Sequence, residues 1–260
     1  MINEPQAQIG GVFSFVLRAF SGPLFNKVLI VLAPMGEMIE YTSNGTLEYG
    51  YVADPISGEG PALVVIQEWW GLVDHIKDVC DRFAAAGYFA IAPDLYHNKK
   101  TDDSNEAAKL AMELRVDQAL VQMGGAIDEL VRRSGNERVG VVGFCMGGGL
   151  ALALATARPD RVAAVVPFYG VASRSEAEPD YSTMQAVVQG HFAELDQSVS
   201  PELVRALESK LESLGKETEF FVYPGTVHGF FNDTRPGQYD PSAALQAWER
   251  TIAFLTEELT

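Results

Sequence analysis

The chain has 260 residues, 47% of them hydrophobic, with 19 Lys and Arg against 35 Asp and Glu and a formal net charge of −16. That length and apolar content suit one large α/β domain with a sizeable core and exclude general disorder. So negative a surface repels phosphate backbones and anionic lipid heads, which argues against nucleic-acid and membrane-surface partners.

Residues 1–37 read as an N-terminal extension, poorly ordered or loosely docked, ahead of a single domain over 38–260. Its apolar patches are interrupted by Arg18, Gly22, Pro23, Asn26 and Lys27, so no run reaches the roughly 18 apolar residues of a membrane-spanning helix. Residues 1–11 carry only the charge of Glu4, which does not fit the basic start of a secretory signal. Met35 and Met38 offer alternative starts. Further on, 47–52 alternates as a strand and stops at Asp54-Pro55. The continuous apolar run 62–66 predicts a strand buried on both faces. Ile76, Val79, Cys80 and Phe83 fall at helical spacing, and Gly87 ends that helix. A strand follows at 89–92, cut by Pro93-Asp94, then a long helical region over 105–133. Strands at 138–142, 162–166, 186–189 and 219–223 alternate with helices at 147–157, 201–214 and 242–258. Such alternation implies a mostly parallel central sheet flanked by helices on both faces. Ligands of such sheets bind beyond the carboxyl ends of the strands, so the residues after each strand are the candidates for chemistry.

After the strand at 138–142 comes Gly143-Phe144-Cys145-Met146-Gly147-Gly148, the spacing of a nucleophile elbow with Cys in the place of Ser. The turn is sterically demanding, and glycines two before and two after the nucleophile let strand and helix approach. The N-terminal end of the next helix points at the thiol and favours negative charge there. A Cys nucleophile needs a base. Of the four histidines, His75, His97, His191 and His228, only His228 follows the last strand, where the last member of a triad falls in this fold. His75 is placed near a helix start, His97 in a surface loop and His191 in a loop after a strand. The base needs an orienting carboxylate. Asp196, after the strand at 186–189, is the best placed and Glu194 the alternative; Asp196 also has a reading as a cap for the helix near Pro201. The order Cys145, Asp196, His228 is nucleophile, acid, base. Glu68, beside Trp69 and Trp70 at the end of the strand 62–66, is a carboxylate that needs a partner. Trp69, Trp70, Tyr96 and Tyr169 are candidates to line an aromatic pocket, with core packing an equal reading for Trp70.

Gln67-Glu68-Trp69-Trp70-Gly71, Pro93-Asp94-Leu95-Tyr96, the Cys145 elbow and the stretch from Tyr223 to Phe230 together resemble the dienelactone hydrolase (carboxymethylenebutenolidase) family of α/β-hydrolase fold. The resemblance covers 38–260. It implies hydrolysis of small esters or lactones through a thiol ester intermediate. It also implies that Glu68 contacts the resting Cys145 thiol, and that the backbone N–H groups of Trp69 and Met146 form the oxyanion hole. In one respect the chain departs from the family. Where dienelactone-cleaving members grip the substrate carboxylate with arginines, this chain has Asn98 and Asn232, and a neutral Asn does not replace a bidentate Arg. Lys99, Lys100 and Arg235 are nearby cations that either substitute or stand as solvated surface charge.

Cys80, on the apolar face of a helix, reads as a buried structural thiol. Two distant cysteines make no disulfide framework, and no Cys/His cluster has metal-ligand spacing, so neither a metal nor another cofactor is expected. A thiol nucleophile favours a reducing compartment, hence the cytoplasm. The expected partner is a small ester or lactone, bound by a monomer or small homo-oligomer. The rival readings are a catalytically idle binding protein of the same fold and a redox-sensing thiol at Cys145.

Overall fold

The computed structural model describes residues 36–172 and 179–260, and residues 1–35 of the expected extension 1–37 lie outside them. Among the described residues, β1 (Glu37–Ser43) and β2 (Thr46–Ala53) form an antiparallel hairpin closed by Asn44-Gly45. Both turn residues have positive φ, 46° and 79°, as a two-residue hairpin loop of matching twist requires. β1 was not among the expected strands. It begins at Glu37, one residue inside the expected extension, and its pairing runs from Glu37 opposite Val52 to Ser43 opposite Thr46.

Six further strands follow: β3 (Ala62–Ile66), β4 (Phe89–Pro93), β5 (Val139–Phe144), β6 (Val162–Phe168), β7 (Val187–Ala193) and β8 (Thr218–Tyr223). The sheet order is β1-β2-β4-β3-β5-β6-β7-β8. β3 to β8 are mutually parallel, and β2 joins β4 antiparallel. Every residue of β3, β4, β5 and β6 is buried, so these strands read as continuous apolar runs instead of alternating.

Alternate side chains enter different cores. Leu63 and Val65 pack with α1 (Asp74–Ala85) and α6 (Pro241–Leu259) on one face. Val64 and Ile66 pack with α3 (Val116–Ser134), α4 (Met146–Ala157) and α5 (Pro201–Ser213) on the other. The remaining helix, α2 (Ser104–Glu113), is capped by Asp103, whose side chain accepts from the N–H groups of Asn105 and Glu106. No helix among the described residues is long and apolar enough to cross a membrane.

Two expectations are corrected here. The helical region over 105–133 is two helices, α2 and α3, separated by Leu114 and Arg115 in extended conformation. No Gly or Pro marks that break. His191 lies within β7, not in a loop after it. It is fully buried, with Nδ1 against the Tyr223 hydroxyl at 2.9 Å and Nε2 against Thr251 Oγ1 at 3.0 Å. Burial holds this imidazole neutral, its pKa pushed down to about 3.

Candidate active site

Cys145 sits between β5 and α4 with φ 55° and ψ −119°, a conformation that a side chain adopts only where its surroundings over-determine it. Those surroundings are two glycines. A Cβ on Gly143 would lie 2.0 Å from the Gly147 carbonyl oxygen, and one on Gly147 would lie 2.5 Å from the carbonyl oxygens of both Ile66 and Gln67. The elbow is thus pressed against the end of β3. The Cys145 N–H donates to the Phe168 carbonyl at 3.0 Å, tying the elbow to β6 as well.

His228 lies in the loop after β8, and its Nδ1 is 2.7 Å from Asp196 Oδ2. The imidazole and Cys145 line the same cavity. Asp196, after β7, is buried, and its other oxygen accepts the N–H groups of Ser198 and Val199 at 2.8 and 3.0 Å. The cap reading of Asp196 is corrected: α5 is capped by Ser200, whose hydroxyl accepts the Leu203 N–H, and Asp196 instead holds the turn that precedes it. Glu194 does not reach His228. It is exposed and accepts the Gly225 N–H at 2.8 Å, which clamps the loop that carries the histidine. Burial alone would lower the His228 pKa. The Asp196 hydrogen bond, then the neighbouring Cys145 sulfur and its charge, outweigh burial and raise it to about 10. Burial would conversely raise the Asp196 carboxyl, but the His228 bond and charge and the two N–H donors hold it below the usual carboxylate range.

Glu68 is buried at the end of β3. Asn232 Nδ2 donates to its Oε2 at 2.7 Å, and the Tyr169 hydroxyl makes a long contact of 3.4 Å with Oε1. Among the described residues its hydrogen bonds run to these two and not to Cys145, so the direct thiol contact implied by the family resemblance is not present. Burial pushes the Glu68 carboxyl up, against the opposing pull of Asn232, His228, Arg235 and Tyr169. Tyr169, at the end of β6 with φ 37°, lays its ring edge-on to His228 with centroids 5.0 Å apart. Trp69 follows Glu68 beyond β3, and Met146 is the first residue of α4. No protein acceptor is found for either N–H among the described residues, which leaves two backbone donors open beside the thiol.

A cavity of about 280 Å³ opens over Cys145. Trp69, Met146, Tyr169 and His228 form its floor, and Leu114, Val116, Leu150 and Val199 much of its wall. Of the residues expected at the substrate, Tyr169 alone lines it beside Trp69. Tyr96 stands one residue removed, its hydroxyl 3.4 Å from the Met146 sulfur. Trp70 packs edge-on to Trp69 and carries the Arg235 guanidinium over its ring at 3.8 Å. Asn98 is exposed and lines a separate pocket of about 110 Å³ with Lys99 and Lys100. Asn232 is fully buried, and its Oδ1 accepts from the N–H and hydroxyl of Thr234 while Nδ2 serves Glu68. Both asparagines are thus corrected: neither faces the cavity. Sequence reasoning missed the wall residues Leu114 and Val116, because their signal was absorbed into one uninterrupted helix. It also missed Ser198 and Val199, which follow Asp196 closely.

The dienelactone hydrolase family model matches residues 49–259. The protein usf of Aquifex pyrophilus is 38% identical over 234 residues, covering 87% of this chain and 100% of that protein. A protein of Aquifex aeolicus named "Putative carboxymethylenebutenolidase" is 33% identical, over 85% of this chain and 97% of its own. Among solved structures, one titled "Putative Dienelactone Hydrolase" from Klebsiella pneumoniae superposes with a TM-score of 0.77 at 28% identity, covering 85% of this chain and 98% of that one.

Proposed function

This chain belongs to the dienelactone hydrolase family, whose α/β-hydrolase fold it shares, and we propose that it hydrolyses small esters or lactones through Cys145, His228 and Asp196. The observation that carries this reading is the 2.7 Å contact of His228 Nδ1 with Asp196, which leaves the opposite edge of the imidazole to the sulfur. The Cys145 sulfur attacks the carbonyl carbon, and the carbonyl oxygen gathers negative charge between the N–H groups of Trp69 and Met146. Each such donor is worth about 3 kcal/mol at a developing oxyanion. The proton shared by Cys145 and His228 passes to the leaving oxygen as the C–O bond breaks, and a thiol ester remains. Water then attacks the thiol ester, giving a proton to His228. Collapse releases the carboxylic acid, and the proton returns to the sulfur. Asp196 holds the imidazole in place and stabilises its charge throughout.

A working thiol of this kind needs a reducing compartment, and the cytoplasm is part of the proposal. The redox-sensor reading lacks support from Cys80, the chain's other thiol, which is fully buried in α1.

Turnover of p-nitrophenyl acetate by wild type and by Cys145→Ala tests the assignment. We expect the substitution to remove at least about 1,000-fold of kcat/KM, and mass spectrometry of the wild type under rapid quench to find the acyl group on Cys145. Equal turnover by both proteins would end the claim that Cys145 is the nucleophile.

A further inference from the structure

We propose that the cavity over Cys145 receives uncharged, apolar acyl groups and selects against acyl groups that carry a carboxylate. The inference rests on Cys145 as the acylated residue, since the cavity is then the acyl site. Apart from the reacting groups at its floor, the side chains that wall it are almost wholly aliphatic, contributed by the break between α2 and α3 and by α4, and no Lys or Arg lines it among the described residues. Its volume of about 280 Å³ compares with roughly 150 Å³ for a protein cavity that takes up benzene, so it suits an acyl group of about ten heavy atoms.

Among the described residues, the side-chain amides and cations nearest the cavity are engaged elsewhere. Asn232 has both ends of its amide committed, to Glu68 and to Thr234. The backbone N–H of Asn98 is held by Asp94 at 2.6 Å, and its side chain lines the other pocket with Lys99 and Lys100. Arg235 stacks on Trp70, outside the cavity lining. The positive charge of His228 is matched by buried Asp196 at 2.7 Å. The other ionisable groups near the floor are the carboxyls of Glu68 and Asp196, and the whole chain carries a net charge of −16. A carboxylate entering here loses water and, among the described residues, meets no lysine or arginine to replace it, which is among the strongest penalties available to a binding site.

The test compares kcat/KM for the p-nitrophenyl esters of acetate, butyrate and hexanoate with that of the mono-p-nitrophenyl ester of glutarate, whose acyl chain ends in a carboxylate. We expect a gain of about fourfold per added methylene, and a glutarate ester at least about 100-fold poorer than the hexanoate ester. Leu114→Arg, at a half-exposed position in the wall, should narrow that ratio by about tenfold or more, with a thermal melt to check the fold. In parallel, hexanamide and glutaramate are titrated against Cys145→Ala, following intrinsic tryptophan fluorescence, to which the cavity-lining Trp69 contributes. Hexanamide should bind at least about tenfold tighter. A glutarate ester cleaved as fast as the hexanoate ester, or glutaramate bound as tightly as hexanamide, overturns the inference. Failure to cleave every ester would instead strike the hydrolase reading, and the two amides would still decide what the cavity accepts.

Discussion

At the residue scale, the pairing of His228 with Asp196 carries a pH signature with a definite sign. The His228 pKa is raised from its ordinary 6.5 to about 10. Its contribution to stability is therefore fully present below pH 6.5 and is lost as pH rises through about 10. Asp196 is shifted the other way, below its ordinary 3.8. Its contribution is present above that value and fades as acid protonates it. Asp196→Asn can keep the Ser198 and Val199 bonds through its amide oxygen while removing the charge. The difference in urea midpoint between wild type and Asp196→Asn should be large near pH 6 and shrink toward pH 10, and ester turnover should fall by at least about 100-fold. A midpoint difference that stays flat from pH 6 to pH 10 would show that the ion pair is not what raises His228. These residues were legible in the sequence because each stands a fixed step beyond a strand. The contact of Glu68 with Asn232 was not, since 164 residues separate the two and no local pattern records a tertiary hydrogen bond.

At the scale of elements, the close approach of the elbow to β3 predicts a split between stability and activity. A methyl group at position 147 meets the carbonyl oxygens of Ile66 and Gln67 at 2.5 Å. Gln67 directly precedes Glu68 and Trp69. Relief of the clash must push the end of β3 away from α4, which separates the Trp69 and Met146 N–H groups. Gly147→Ala should therefore lose at least about 100-fold in kcat/KM, as expected for a lost oxyanion donor, with KM moved far less than kcat. A variant that melts earlier yet keeps wild-type kcat would refute this coupling. The strands of the sheet centre were legible because burial on both faces makes them continuous apolar runs. The hairpin strand β1 was missed despite its Asn44-Gly45 turn, since half of its side chains face solvent and it adjoins an extension read as structureless. The break at Leu114 has no breaker residue. It becomes intelligible only through the cavity, where the extended backbone aims Leu114 and Val116 at the site.

At the scale of the whole molecule, the sequence carried the architecture further than it carried the specificity. Alternating strands and helices were enough for a parallel sheet with two covered faces, because each element must bury its apolar side somewhere. The absence of Lys and Arg from the cavity lining among the described residues was beyond it, since Asn98 and Asn232 leave the site only by virtue of the folded path around them. One consequence of that folded path concerns the two sulfurs. Cys145 opens onto the cavity, whereas Cys80 is sealed between α1 and the sheet, 0% exposed, its thiol pushed well above the ordinary range by burial. A thiol-specific reagent should consume one equivalent at once in the native protein. The second should follow only at the pace of global opening and should accelerate with denaturant as unfolding does. Simultaneous consumption of both would contradict the burial of Cys80. The chain thus contains its own stopwatch: one sulfur marks the start, and the other records when the sheet comes apart.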